Sequence, residues 1–224
     1  FSDRRIKKNI EIKQDSDSLD RLRNIECYWY NYIDSLSKGN KRVLGFIAQQ
    51  VNEYMPEAVQ LDTSIIPNEY RVLYDISWNP IIYDSSNNVV SEHIFDSSGT
   101  QLTTEKYKLT IHDLSNNSGE QLYRFYVYDN SYEQHMKEVK STKNDPKSFI
   151  FEKLWNDVFL FGKEVNDFHT LDKQKLYALN FSATQEIDKI QQAEKTKLEE
   201  ANAKIASLES ALAALTARVA ALEG

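Results

Sequence analysis

Apolar residues recur at alternating steps of three and four from Leu198 through Ala201, Ile205, Leu208, Leu212, Leu215 and Val219 to Leu222. Filling a and d positions over successive heptads in this way predicts a left-handed coiled coil. Upstream, Ile187 and Ile190 connect through Glu194 to Leu198 by steps of three, four and four. That spacing resembles a stutter, which locally unwinds a supercoil. One long helix is predicted from about residue 171 to the end. A helix lying on a protein surface needs no seam this strict, so the pattern predicts self-association. Leu at both a and d leaves the strand number open, and Ala201 permits close approach without choosing it.

The pattern changes toward the N-terminus. Leu19, Leu22 and Ile25 fall at helical spacing, with Ser16 or Asp17 as the expected N-cap. Glu26 to Ile33 alternates aromatics and predicts a strand; Ser37–Asn40 is a turn signal, and Arg42 to Ile47 predicts a second strand. Ala48 to Met55 reads as a short helix closed by Pro56. Between 59 and 155, strand-like runs at 70–76, 81–83, 107–111, 122–128 and 149–151 are separated by turn clusters at 84–88, 96–99 and 116–119. Tyr123, Phe125 and Val127 alternate with Arg124, Tyr126 and Tyr128, so one face is apolar and the other amphipathic. The expected class is α+β: a small α+β unit at 1–58, a protruding β-hairpin arm at 59–155, and a connector with the coiled-coil helix at 156–224.

Composition narrows the picture without redirecting it. With 41% hydrophobic and 27% charged residues, the chain is globular rather than disordered. Thirteen Tyr and ten Phe suit aromatic-rich sheets. A net charge of −7 gives no reason to expect nucleic-acid binding, despite the basic cluster Arg4, Arg5, Lys7 and Lys8. The single cysteine, Cys27, forms no internal disulfide and is expected as a small buried hydrophobe. No apolar run approaches the roughly 20 residues of a membrane helix, so no membrane partner is expected. No signal peptide opens the chain, and its start at Phe1, without Met, leads us to expect the end of a larger protein.

Three short motifs carry a resemblance. They are Ser2-Asp3-Arg4-Arg5-Ile6-Lys7-Lys8-Asn9-Ile10, then Gly45-Phe46-Ile47-Ala48-Gln49-Gln50-Val51, and Gly162-Lys163-Glu164-Val165 leading into Asp167–Lys173 ahead of the long helix. Together they resemble the endosialidase-type intramolecular chaperone found at the end of viral and phage tail spikes and fibres. The resemblance spans roughly 1–58 and 156–195. It implies a homotrimer that folds the upstream fibre or spike stalk of its own polypeptide and then releases itself with a serine–lysine dyad. It further implies action in the host-cell cytoplasm during virion assembly, with the parent protein in the virion. Carried over residue by residue, Ser2 is the nucleophile, Lys7 the general base and Phe1–Ser2 the bond cut. The other reading is a permanent structural trimer or receptor-binding fibre tip without peptidase activity.

The chemistry of that dyad sets physical demands. A serine hydroxyl is a poor nucleophile until a neighbouring base takes its proton. A lysine serves as base only when neutral, so its ordinary pKa near 10.4 must fall by about three units, through burial or nearby cations. Five residues on a helix separate two side chains by about 140°. A turn must therefore bring Ser2 and Lys7 together, or another protomer must supply one of them. Asp3 is expected either to orient Lys7 or to cap a turn. Gln49 is expected either to position or stabilise an oxyanion, or to hold the start of its helix. His169 is expected to cap the long helix or to face another subunit. No metal or cofactor is expected, since His93, His112, His135 and His169 share no ligand spacing with one another or with Cys27.

Overall fold

The computed structural model describes residues 3–115 and 119–223. It is α+β, with a large β-sheet and a long C-terminal helix. The chain divides into two compact units, each discontinuous in sequence. One gathers residues 1–28, 46–60 and 171–224, and the other 29–45 and 61–170. The segment 1–58 is thus shared between them.

The first unit is built on three helices, α1 (Asp15–Asn24), α3 (Ala48–Tyr54) and α4 (Lys173–Glu223). Val51 of α3 with Met55 and Ala58 just beyond it packs on Leu176 and Leu179 of α4, and Ile25, Val59 and Leu171 close the cluster. Helix α1 lies along α4, burying Ser18 and Leu19. It begins one residue before Ser16, and Gln14 stands at its N-cap without a side-chain bond. The cap expected from Ser16 or Asp17 is replaced by a clamp. Asp15 accepts from Ser182 Oγ at 2.6 Å and from Lys189 Nζ at 2.6 Å, which fastens the start of α1 to α4. Both bonds hold the Asp15 carboxyl below the usual range, the Lys189 one foremost.

Helix α4 is capped by Asp172, whose Oδ1 accepts from Gln174 N at 3.0 Å and Lys175 N at 3.4 Å. His169, for which capping was one expectation, instead lies in a strand, its Nδ1 2.7 Å from the Asp167 carbonyl oxygen. The heptad residues of α4 are open: Leu198, Ile205, Leu208, Leu212, Leu215, Val219 and Leu222 are 46–86% exposed. By length and composition one stretch of α4 would also pass as a membrane span, which corrects the expectation that none exists. Alanines between the leucines raise its hydropathy. A lipid-facing helix has no need to confine its large residues to heptad spacing, so the seam is the stronger signal.

The second unit begins with a ribbon of β1 (Tyr28–Tyr30) and β2 (Val43–Gly45), shorter than the alternation predicts, around the one-turn helix α2 (Ser35–Lys38). Its sheet has nine strands: β3 (Val59–Ile65), β4 (Arg71–Val72), β5 (Ile76–Tyr83), β6 (Val89–Val90), β7 (Thr104–Ile111), β8 (Leu122–Tyr128), β9 (Gln134–Thr142), β10 (Asp145–Phe151) and β11 (Asp157–Leu171). The order is β3-β11-β8-β9-β10-β7-β5-β6, with β4 also paired to β11. Residues 59–155, expected as a protruding β-hairpin arm, supply much of this sheet and of the apolar cluster it buries. Tyr123, Phe125 and Val127 of β8 are fully buried, as their alternation predicts, and meet Phe149 and Phe151 of β10. Phe125 sits edge-on to Phe149 at 5.0 Å and to Phe151 at 5.5 Å, the geometry that aromatic quadrupoles favour.

Three of its hairpins share one turn. Oδ1 of Asp84, Asp96 and Asp129 accepts from the backbone N–H two residues on, at 2.8–2.9 Å, and again four residues on, at 2.8–3.1 Å. The residue three on takes positive φ in each: Asn87, Gly99 and Tyr132. Gly162 marks a bulge in β11 opposite β8. A Cβ there would lie 1.9 Å from the Ile66 carbonyl oxygen and 2.8 Å from Asn68 N. Asn68 Oδ1 in turn accepts from Lys163 N at 2.9 Å. The Gly162-Lys163 motif is therefore a place where two stretches of backbone touch.

Candidate functional site

The expected chemistry falls on the segment before α1. Arg4–Ile6 makes a single 3-10 turn, and Lys7 closes it by donating its N–H to the Arg4 carbonyl at 3.1 Å. Asp3 opens the turn: its Oδ1 accepts from Arg5 N at 2.8 Å. The same carboxylate takes the Arg5 guanidinium through Nε at 3.0 and 3.1 Å and Nη2 at 2.6 Å. That fork holds the Asp3 carboxyl below its ordinary range. Of the two roles expected for Asp3, the turn cap is the one formed, and its charge partner is Arg5, not Lys7. Arg5 is neutralised locally. No ion pair to Arg4, Lys7 or Lys8 occurs among the described residues.

Ser2 and the Phe1–Ser2 bond lie outside the described residues. Lys7 is exposed, as is every residue from Asp3 to Gln14. Within this single chain no described side chain shields Lys7 from water.

The second motif is resolved in detail. Ile47 precedes α3, and Gln49 is exposed in its first turn. The neighbouring Gln50 bridges two segments: its Nε2 donates to the Asn24 carbonyl at 2.7 Å, and its Oε1 accepts from Glu26 N at 3.2 Å. One amide thereby fixes the chain as it leaves α1. Gln50 was passed over by sequence reasoning because both glutamines fit the motif.

Beside this motif the same unit opens an apolar cleft of about 440 Å³, lined by Leu22, Ile25, Cys27, Phe46, Leu176 and Tyr177 among others. Cys27 is exposed there, which corrects the expectation of a buried thiol. The run Cys27–Tyr30 leaves α1 at the surface, and only Tyr28 onward joins a strand. Tyr177 and Phe181 of α4 are 72% and 61% exposed. Neither appears in the predicted seam, because Asn180 and Thr184 interrupt the apolar pattern around them.

Away from this unit, ligand atoms of Asp129, Glu133 and His135 converge within 4.8 Å at the β8–β9 turn. Histidine spacing alone did not anticipate this trio. Asp129 already accepts two backbone N–H bonds through Oδ1, and its Oδ2 faces His135 Nε2 at 3.4 Å. The group builds the turn.

Residues 2–60 match the family model described as chaperone of endosialidase, the family that the Ser2–Ile10 and Gly45–Val51 motifs resemble. The chain is also 30% identical over 241 residues to an uncharacterized protein VP1 of Micromonas pusilla reovirus. That alignment covers 96% of this chain and 12% of the viral protein, so the chain spans only a small part of that relative's length.

Proposed function

We propose, taking the match of residues 2–60 to the chaperone-of-endosialidase model as premise, that this chain is an intramolecular chaperone. It trimerises through α4, guides folding of a viral fibre or spike stalk upstream in the same polypeptide, and then cuts itself free between Phe1 and Ser2. The family match carries the reading. The open heptad face of α4 supports its assembly step, because seven large apolar residues at 46–86% exposure require cover.

In the proposed reaction Ser2 Oγ attacks the Phe1 carbonyl carbon while Lys7 Nζ takes the hydroxyl proton. The C–N bond breaks, the leaving Ser2 amine receives that proton, and Phe1 is held as an ester on Oγ. Water then hydrolyses the ester, yielding a Phe1 carboxylate and restoring the Ser2 hydroxyl. The turn at Arg4–Ile6 falls between Ser2 and Lys7 in the sequence and supports the reading. An exposed lysine is a poor base, so the reading makes assembly the step that keeps water from Lys7. Cleavage would leave the fibre kinetically trapped without its folding partner.

The test uses the chain with its upstream stalk. Ser2→Ala should stay full length yet trimeric. Lys7→Arg should also fail to cut, since a guanidinium keeps its proton. Normal cutting in Lys7→Arg would dismiss lysine as the base. A wild-type protein that never cuts would favour a permanent trimeric tip.

A further inference from the structure

We propose that Arg5 is a positioning residue for the cut: by forking the Asp3 carboxylate it keeps that charge off Lys7 and leaves Lys7 free to act as base. This rests on the self-cleavage proposed above, in which Arg5 has had no part.

The need for such a device follows from the spacing. Asp3 stands four residues before Lys7, and an acid four residues N-terminal to a lysine is the favoured order for an ion pair across a helical turn. The turn is present: Ile6 N–H donates to the Asp3 carbonyl at 3.3 Å and Lys7 N–H to the Arg4 carbonyl at 3.1 Å. A carboxylate paired across it would hold Lys7 as the ammonium, the form that cannot take a proton from Ser2. The motif thus sets an acid within reach of its own base.

The carboxylate goes elsewhere. Oδ1 of Asp3 accepts from Arg5 N at 2.8 Å and Nε at 3.0 Å, and Oδ2 accepts from Nε at 3.1 Å and Nη2 at 2.6 Å. Both oxygens are occupied, and the two charges cancel within one turn. A lysine at position 5, with its single ammonium, could not match this planar fork. Glu11 is the acid four residues beyond Lys7, but the turn ends at Lys7 in extended backbone, with φ of −116° and ψ of 143°, so the two share no turn. The segment is exposed throughout, and among the described residues no acid from another element pairs with Lys7. Arg4 and Lys8 flank it as cations, which favour a neutral lysine. In open water a freed Asp3 would count for little; its effect grows as assembly excludes solvent and the local dielectric falls.

The experiment follows the rate of self-cleavage against pH in the chain with its upstream stalk. Wild type, Arg5→Ala and Asp3→Asn/Arg5→Ala are compared, with sedimentation run on each. Arg5→Ala frees the carboxylate, so its pH–rate profile should move about one unit to higher pH. Cleavage should slow roughly three- to tenfold near neutrality and recover in alkali, because less of the lysine is neutral at a given pH. The double variant carries neither charge, and asparagine still caps the turn, so its profile should return to the wild-type position. An Arg5→Ala profile that coincides with the wild type overturns the role of Arg5 and leaves self-cleavage standing. A double variant as slow as Arg5→Ala overturns it too, since the loss then belongs to the guanidinium and not to the freed carboxylate. Loss of the oligomer in Arg5→Ala would assign the fork to assembly and overturn the positioning role. A wild type that never cuts overturns self-cleavage, and this role with it.

Discussion

Gly162 and Tyr132 show how single residues set the sheet's tolerances. Gly162→Ala places a methyl 1.9 Å from the Ile66 carbonyl oxygen, a contact no rotamer relieves. We expect it to destabilise the protein by about 2 kcal/mol or more, measured by denaturant unfolding. Tyr132 holds φ of 57°, where its sister turns place Asn87 and Gly99. Tyr132→Gly should raise stability by about 0.5–1 kcal/mol in the same assay, because glycine adopts that region without steric cost. A loss would mean that the exposed tyrosine ring makes a contact outweighing the backbone strain. Neither residue's role was legible beforehand. Gly162 stood out as part of a motif, but the backbone it touches lies about a hundred residues earlier in the chain, and Asp129-Asn130-Ser131 lacks the glycine that flags a turn.

Among the elements, the helices were the more legible. The start of α4 and α3 ending before Pro56 followed from periodicity and a breaker residue, both local signals. Strands β3, β9 and β11 were missed. In β9 the charged residues Lys137, Glu138 and Lys140 mask the alternation; Arg124 pairs across with Glu138 through Nη2 at 2.6 Å. The clamp on Asp15 gives an element-scale prediction. Its carboxyl is held below the ordinary aspartate value of 3.8, so it stabilises the native state above that value and loses this contribution as pH falls through the lowered one. Asp15→Asn should therefore lower the thermal midpoint at neutral pH and flatten its decline in acid. An unchanged midpoint at neutral pH would mean that α1 is held on α4 by Leu19 and its apolar neighbours alone. For α4, Leu208→Asp/Leu212→Asp should sediment as a monomer, since it puts charge into the seam.

The whole molecule alters an expectation formed from its pattern. A protruding arm at 59–155 would allow deletion of 84–128 with the trimer left intact. The structure places β7 and β8 inside that range, and they bury Leu109, Ile111, Tyr123, Phe125 and Val127. The deletion should instead abolish the sheet's near-ultraviolet aromatic signal, which is the measurement to make. Assembly has its own signature at this scale. If the seam is covered by other copies, the melting temperature of the helical signal should rise with protein concentration, by mass action. A concentration-independent melt would place the cover within a single chain. Sequence located the candidate chemistry at Lys7 and the glutamine motif, yet the grouping of residues 1–28 with 46–60 and 171–224 rests on side chains meeting across long separations, which no local pattern encodes.

That grouping also imposes an order in time. Val51, Met55 and Ala58 cannot complete their cluster until Leu176 and Leu179 have been synthesised, more than a hundred residues later. At about 5–20 residues per second, the ribosome takes on the order of ten seconds to deliver them. During that interval the segment bearing Lys7 has been made but has no finished domain beneath it. A chain of this layout cannot present its N-terminal segment on a folded unit before Leu176 and Leu179 exist, and so translation itself keeps the order of events.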